Sequence, residues 1–152
     1  MGEAKAAQVK AALEIGRRLG LLAPDARLRI RTPLDAANLV MLDLAHLDSE
    51  HMVILLLDAR SQLVEKINSY RGTVNSSVMR VAEIFRPAII RNCPGLILCH
   101  NHPSGDPSPS AEDLEVTRQL VQAGDILDIE LVDHIIIGNQ RFVSLKEQLK
   151  WE

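Results

Sequence analysis

Aromatic side chains are scarce: Tyr70, Phe85, Phe142 and Trp151 are the only four in 152 residues. A core built from this chain must be aliphatic, and it has few rings on which single-stranded nucleic acid could stack. Cysteine is almost as rare. Cys93 and Cys99 are too few for a disulfide framework and do not form a C-x-x-C pair. A basic excess is also missing, since the formal charge is −3, which argues against a strong phosphate-binding surface. Arg17, Arg18, Arg27, Arg29 and Arg31 do crowd one stretch; they read as a solvated helix end followed by a basic connector. No charged-then-apolar leader opens the chain, and no apolar run nears the roughly 18–20 residues that span a bilayer. The longest such run, residues 52–57, is strand-sized. These absences lead us to expect a protein of the reducing cytoplasm with no membrane span, in which polar clusters serve a metal sooner than a disulfide.

What is present suits one compact domain with a short appendage: 47% of the residues are hydrophobic. Residues 5–19 carry an apolar stripe of Val9, Ala12, Leu13, Gly16 and Leu19, which predicts a helix. Residues 23–33 read as a connector. Thr32-Pro33 then predicts a capped second helix running to about Leu47, with Leu34, Ala37, Met41 and Leu44 inward. Residues 52–57 predict a strand covered on both faces, and 63–70 a partner strand. Ser77 is expected to cap a helix whose inward residues are Val78, Val81, Ala82, Phe85 and Ile89, kinked or shortened by Pro87. Residues 96–99 predict a second buried strand. After the loop 100–109 comes a helix with Leu114, Thr117, Leu120 and Val121 inward and Gly124 just past its end. A long strand over 129–137, a turn at Gly138-Asn139, a return strand and a short terminal helix complete the reading. Strands and helices mix without regular alternation, which implies α/β or α+β, a mixed sheet flanked by helices.

The stretch from His100 to Asp113 carries the chemistry. Residues i and i+2 of an extended chain face the same way, so His100 and His102 can present both imidazoles to one point. They stand where a buried strand emerges, and Pro103, Pro107 and Pro109 stiffen the loop that follows. Ser110 and Asp113 share one face of the next helix's first turn. Two imidazoles and a carboxylate suit zinc, and three protein ligands leave the fourth tetrahedral position for water, as in catalytic sites. Each part alone is commonplace. His-x-His is frequent without metal, and Ser-x-x-Asp is also a capping box. The composite is far more specific.

His100-x-His102, seven residues, then Ser110-x-x-Asp113 resembles the JAMM (MPN+/JAB1) metalloprotease signature. Three further words narrow the resemblance to the bacterial RadC family: Arg71-Gly72-Thr73-Val74-Asn75, the run from His100 through Ser104-Gly105-Asp106-Pro107, and Asp133-His134-Ile135-Ile136-Ile137-Gly138. The similarity covers about Leu44 to the C-terminus. It implies a JAMM domain related to cytidine deaminases over residues 32–152, preceded by a helix and connector over 1–31. Residues 5–19 resemble the last helix of the helix-hairpin-helix segment found before this domain, so the chain is expected to be a trimmed one. The family pattern has His-Pro-Arg where this chain has Arg80-Val81-Ala82 before Glu83, which puts any contact made by that motif in question.

By resemblance, Zn²⁺ is held by His100, His102 and Asp113, and Glu50, just before the 52–57 strand, is the general base. Glu65 and Glu83 are rival carboxylates in non-matching contexts. Zinc would make a water acidic enough to attack near neutral pH. Glu50 would take its proton and deliver it to a leaving amine, and Ser110 would help stabilise the oxyanion. The implied reaction is hydrolysis of a peptide or isopeptide amide in a protein substrate. The family name implies an alternative, a DNA repair or recombination accessory protein without hydrolase activity, and a scaffold module that keeps only the fold is a third. Of the other candidates, His134 reads as a hydrogen-bonded core histidine ahead of a support for the ligands. His51 is expected to point away from Glu50, His46 to lie at the surface, Asp106 to serve a turn, and Cys99 to pack in the core. The string His-Asn-His is not an HNH nuclease motif, whose residues are spread over a ββα unit. The deaminase pattern of His-x-Glu with Pro-Cys-x-x-Cys is missing.

Overall fold

A computed structural model describes residues 3–22, 28–71 and 80–151, with the side chains of residues 3, 17–22 and 69–71 left out of the account. The helix α1 (Glu3–Leu22) comes first, then α2 (Pro33–Leu44), β1 (His51–Leu57), β2 (Leu63–Arg71) and α3 (Val81–Arg91). There follow β3 (Gly95–Asn101), α4 (Ala111–Leu127), β4 (Glu130–Ile137), β5 (Phe142–Ser144) and α5 (Leu145–Leu149). The five strands form one sheet in the order β2-β1-β3-β4-β5. Only β3 and β4 run parallel; the other pairs are antiparallel. A parallel pair needs a crossover, and α4 supplies it. The expected mixed sheet flanked by helices is the fold found.

The six residues Met52–Leu57 of β1 are at most 1% exposed, as a strand covered on both faces must be. Met52, Ile54 and Leu56 enter a core with Leu96 and Leu98 of β3, Ile84, Phe85 and Ala88 of α3, and Val116 and Leu120 of α4. Val53, Leu55 and Leu57 face the other way, onto a core with Ala36, Ala37, Val40 and Leu44 of α2. Each large aliphatic side chain so buried contributes about 1.5–3 kcal/mol, and the two cores make three layers of helix, sheet and helix.

Several expectations about the helices need correction. In α1, Val9, Ala12, Leu13 and Gly16 are exposed, Val9 and Leu13 by 51% and 70%, so the apolar stripe is no part of either core; Leu19 lies outside the described side chains. The second helix ends at Leu44, short of Leu47. Its buried face is Ala36, Ala37, Val40 and Leu44, while Leu34 is 52% exposed. Ala37 and Leu44 are inside as expected, while Ala36 and Val40 take the place expected for Leu34; alanines let the helix axis approach the sheet closely. Its start is as expected: Thr32 and Asp35 form a reciprocal capping box, with Pro33 in the first turn.

In α3 the buried residues are Ile84, Phe85 and Ala88, with Val81 partly covered, whereas Ala82 and Ile89 are exposed. The helix runs through Pro87 and closes at Asn92, which takes the left-handed conformation. Ser77 and Val78 lie outside the described residues. In α4, Val116 joins Thr117 and Leu120 inside, and Leu114 and Val121 are half-buried. Gly124 is inside this helix, not beyond it. A Cβ there would lie 2.6 Å from the Ile129 carbonyl, so the glycine serves a close backbone approach. Among the described residues no helix is long and apolar enough to cross a membrane.

Candidate metal centre

The site forms at the carboxyl end of β3, where the parallel β3-α4-β4 unit opens. Strands in such units commonly present ligand-binding groups at this end. His100 is the next-to-last residue of β3 and is 1% exposed. His102 follows the strand, and Asp113, 3% exposed, stands in the first turn of α4. His100 Nε2 lies 3.2 Å from Asp113 Oδ1, and His102 Nε2 lies 3.3 Å from Asp113 Oδ2. The two Nε2 atoms are 3.1 Å apart.

These spacings fit a shared ion. Ligand atoms about 2.0–2.2 Å from a tetrahedral zinc lie about 3.3–3.6 Å from one another, slightly wider than the spacings found here. His102 Nδ1 donates to the Asp106 carbonyl at 2.9 Å, so in the neutral ring Nε2 is a lone pair aimed at the other two ligands. Two nitrogens and a carboxylate oxygen converge with all ligand atoms within 4.8 Å of each other. That donor set fits a divalent cation of zinc's type.

Ser110 is the N-cap of α4. Its backbone N–H and hydroxyl both donate to Asp113 Oδ2, at 2.8 and 2.7 Å, and its Oγ accepts from the Asp113 N–H at 3.1 Å. The capping box and the ligand set are therefore one structure: the cap holds the carboxylate that completes the triad. Burial pushes the Asp113 carboxyl up, but the two imidazoles and the Ser110 hydroxyl beside it outweigh that and hold it well below the usual carboxylate range. Its Asp113 partner in turn raises the proton affinity of His102.

Glu50 stands outside this group of three, half-buried, one residue before β1. Met52 pairs with His100, and continuing that antiparallel register by two residues sets Glu50 opposite His102. Its charge contributes to the raised proton affinity of His102. The rivals are elsewhere, since Glu65 pairs with Arg91 and Glu83 is exposed in the first turn of α3. His46 is exposed, and His51 donates through Nδ1 to the Ser49 carbonyl at 2.9 Å. The Asp106 carboxylate accepts from the N–H and hydroxyl of Ser108, a turn role. Cys99 is fully buried on the α2 side, and burial pushes its thiol far up.

Two residues hold the site together, Asn101, to which sequence reasoning gave no role, and Gly138, which it read only as a turn. Asn101, between the two histidines, points to the other face and is 2% exposed. Its Oδ1 accepts from the His51 N–H at 2.7 Å, and its Nδ2 donates to the carbonyls of Ser49 at 3.1 Å and Leu47 at 3.5 Å. It thus straps the segment bearing Glu50 to the strand bearing the histidines. Asn101→Leu is expected to cost about 2–4 kcal/mol, because buried groups lose their partners; a loss under 1 kcal/mol in denaturant titration would contradict the strap. Gly138 is the second. A Cβ there would lie 2.4 Å from the Gly105 carbonyl and 2.6 Å from Pro107 Cδ. Gly138→Ala should push the 105–107 loop away, taking the Asp106 carbonyl from His102. We expect about tenfold weaker metal binding, readable by chelator competition.

The sequence has relatives among known proteins. A family model described as the RadC-like JAB domain matches residues 30–151. The chain belongs to the RadC-like JAB domain family. A UPF0758 protein of Chloroflexus aurantiacus is 53% identical over 97% of this chain and 65% of its own length. One from Bacillus licheniformis is 50% identical over 97% of the chain and 66% of its own length. The UPF0758 protein YsxA of Bacillus subtilis is 47% identical, over 97% and 64%. The chain thus spans just under two thirds of the length of these RadC-family relatives. The five-stranded mixed sheet with helices on both faces accords with a JAB-type fold.

Proposed function

We propose that this RadC-like JAB domain is a zinc-dependent hydrolase of amide bonds, in peptides or in isopeptide links between proteins. The observation that carries the reading is the convergence of His100 Nε2, His102 Nε2 and Asp113 at tetrahedral ligand spacing, with Glu50 opposite in the strand register. Zinc bound there would supply Lewis acidity, polarising a carbonyl and lowering the pKa of water to about 7. His100, His102 and Asp113 would hold the ion. Glu50 would accept a proton from the attacking water and return it to the leaving nitrogen. Ser110 is proposed as a donor to the oxyanion. Its hydroxyl proton is committed to Asp113 Oδ2, so that role needs the hydroxyl to turn once a cation shares the carboxylate's charge.

The test is a screen of zinc-loaded protein against peptide and isopeptide substrates, beside chelator-treated protein. Cleavage that appears with zinc and vanishes with chelator is expected. Salt-sensitive DNA binding that ignores His102→Ala, with no zinc-dependent cleavage of any amide, would favour the accessory role instead.

A further inference from the structure

Nothing so far explains why His100 should present Nε2 as a lone pair, since a neutral imidazole can carry its proton on either nitrogen. The buried surroundings decide it. Thr117 lies one turn beyond Asp113 in α4, and its Oγ1 is 2.6 Å from the Asp113 main-chain carbonyl and 2.7 Å from His134 Nδ1. A carbonyl can only accept, so the single hydroxyl proton of Thr117 goes to it. Towards His134 the threonine oxygen must then accept, which places the ring proton on His134 Nδ1.

His134 is 1% exposed and has no carboxylate on either nitrogen, so a second proton on it is disfavoured. Its Nε2 is therefore an acceptor. That atom lies 2.9 Å from His100 Nδ1, which must donate. In the opposite tautomer of His100, two lone pairs would face each other at this distance. The proton of His100 is thus held on Nδ1, and Nε2 is left as a lone pair towards His102 and Asp113, where a cation, or in its absence a proton on His102 Nε2, would bridge the two facing nitrogens.

We propose that His134 and Thr117 are positioning residues for the metal centre: a one-way hydrogen-bond chain from His100 to the backbone of Asp113 fixes the ligating tautomer of His100. The chain joins the strand and the helix that carry the ligands through a third element, β4. Buried partners of this kind typically support metal affinity by 10–100-fold. The proposal rests on the metal reading above and concerns how that site is kept ready for the ion.

Two measurements on the whole chain test it. Long-range ¹H–¹⁵N spectra of the metal-free protein read histidine tautomers directly, and zinc affinity is read by competition with a chromophoric chelator. The wild type is expected to show His100 protonated at Nδ1. His134→Leu and the near-isosteric Thr117→Val should mix the His100 tautomers and weaken zinc binding, His134→Leu by 10–100-fold. His134→Gln, which can offer an acceptor oxygen to His100 Nδ1, should recover much of the affinity. If folded Thr117→Val and His134→Leu keep both the His100 tautomer and the wild-type affinity, the chain has no positioning role. If the wild type itself binds no zinc, the metal reading fails first, and the tautomer spectrum alone then judges the chain.

Discussion

Replacing His102 with alanine is expected to reduce the zinc content of purified protein from about one ion per chain to near zero. His102 is the most accessible of the three ligands, at 14% side-chain exposure, and its loss opens the site to water without carving a hole in either core. The exposed His46 is the matched control, and His46→Ala should retain the ion. Zinc should also protect the wild type against unfolding, by about 2.7 kcal/mol when free zinc exceeds Kd a hundredfold, and His102→Ala should lose that protection. The pH dependence has a definite sign. Asp113 raises the proton affinity of His102, and zinc needs the ring neutral, so protons compete with the metal. Affinity should fall, about tenfold per pH unit, as pH drops below that raised pKa, and level off above it. In metal-free protein the same ring contributes stability that is present below the unfolded pKa of about 6.5 and is lost as pH rises through the raised folded value. Titration with zinc at several pH values checks both arms; affinity that is flat or improves towards acid would contradict the assignment of His102 as a ligand.

Glu50→Gln should have the opposite signature: zinc retained, turnover lost. The side chain keeps its size and stands outside the ligand triad, so metal content and melting temperature should stay near wild type. What disappears is a carboxylate able to carry a proton, a contribution typically worth 10²–10⁴-fold in rate. The loss should lie in kcat more than in KM, since the role is in proton transfer. Equal turnover by Glu50→Gln and wild type would remove Glu50 from the mechanism. Loss of zinc in this variant would make Glu50 a ligand instead.

How far the chain could be read in advance differs between elements for physical reasons. The strands were legible because an apolar run of six, too short for a helix and bounded by polar residues, has few other uses. Helix existence was legible too, but the inward face was only partly right in α2 and α3, where Ala37, Leu44 and Phe85 are buried as expected. Bulk is a poor guide where a helix packs closely on a sheet, and there Ala36 and Ala88 take the interior while Leu34 and Ile89 face outward. Gly124 was mistaken for a helix stop because its reason for being glycine, the Ile129 carbonyl, belongs to the chain beyond the helix. The stripe on α1 shows the limit of periodicity, which marks a face without saying that anything covers it.

At the site, local periodicity by itself determined which side chains can share a point: alternation in a strand aligns His100 with His102, and the first turn of a helix aligns Ser110 with Asp113. These are short-range geometries, set by backbone pitch over two or three residues. Only the tertiary structure decided what stands around them. Asn101 meets the 47–51 segment from about fifty residues away, His134 reaches His100 from thirty-four, and Glu50 comes opposite His102 through the pairing of β1 with β3. Such contacts depend on strand order and register, which arise from burying two aliphatic faces at once and leave no periodic trace in the residues that benefit.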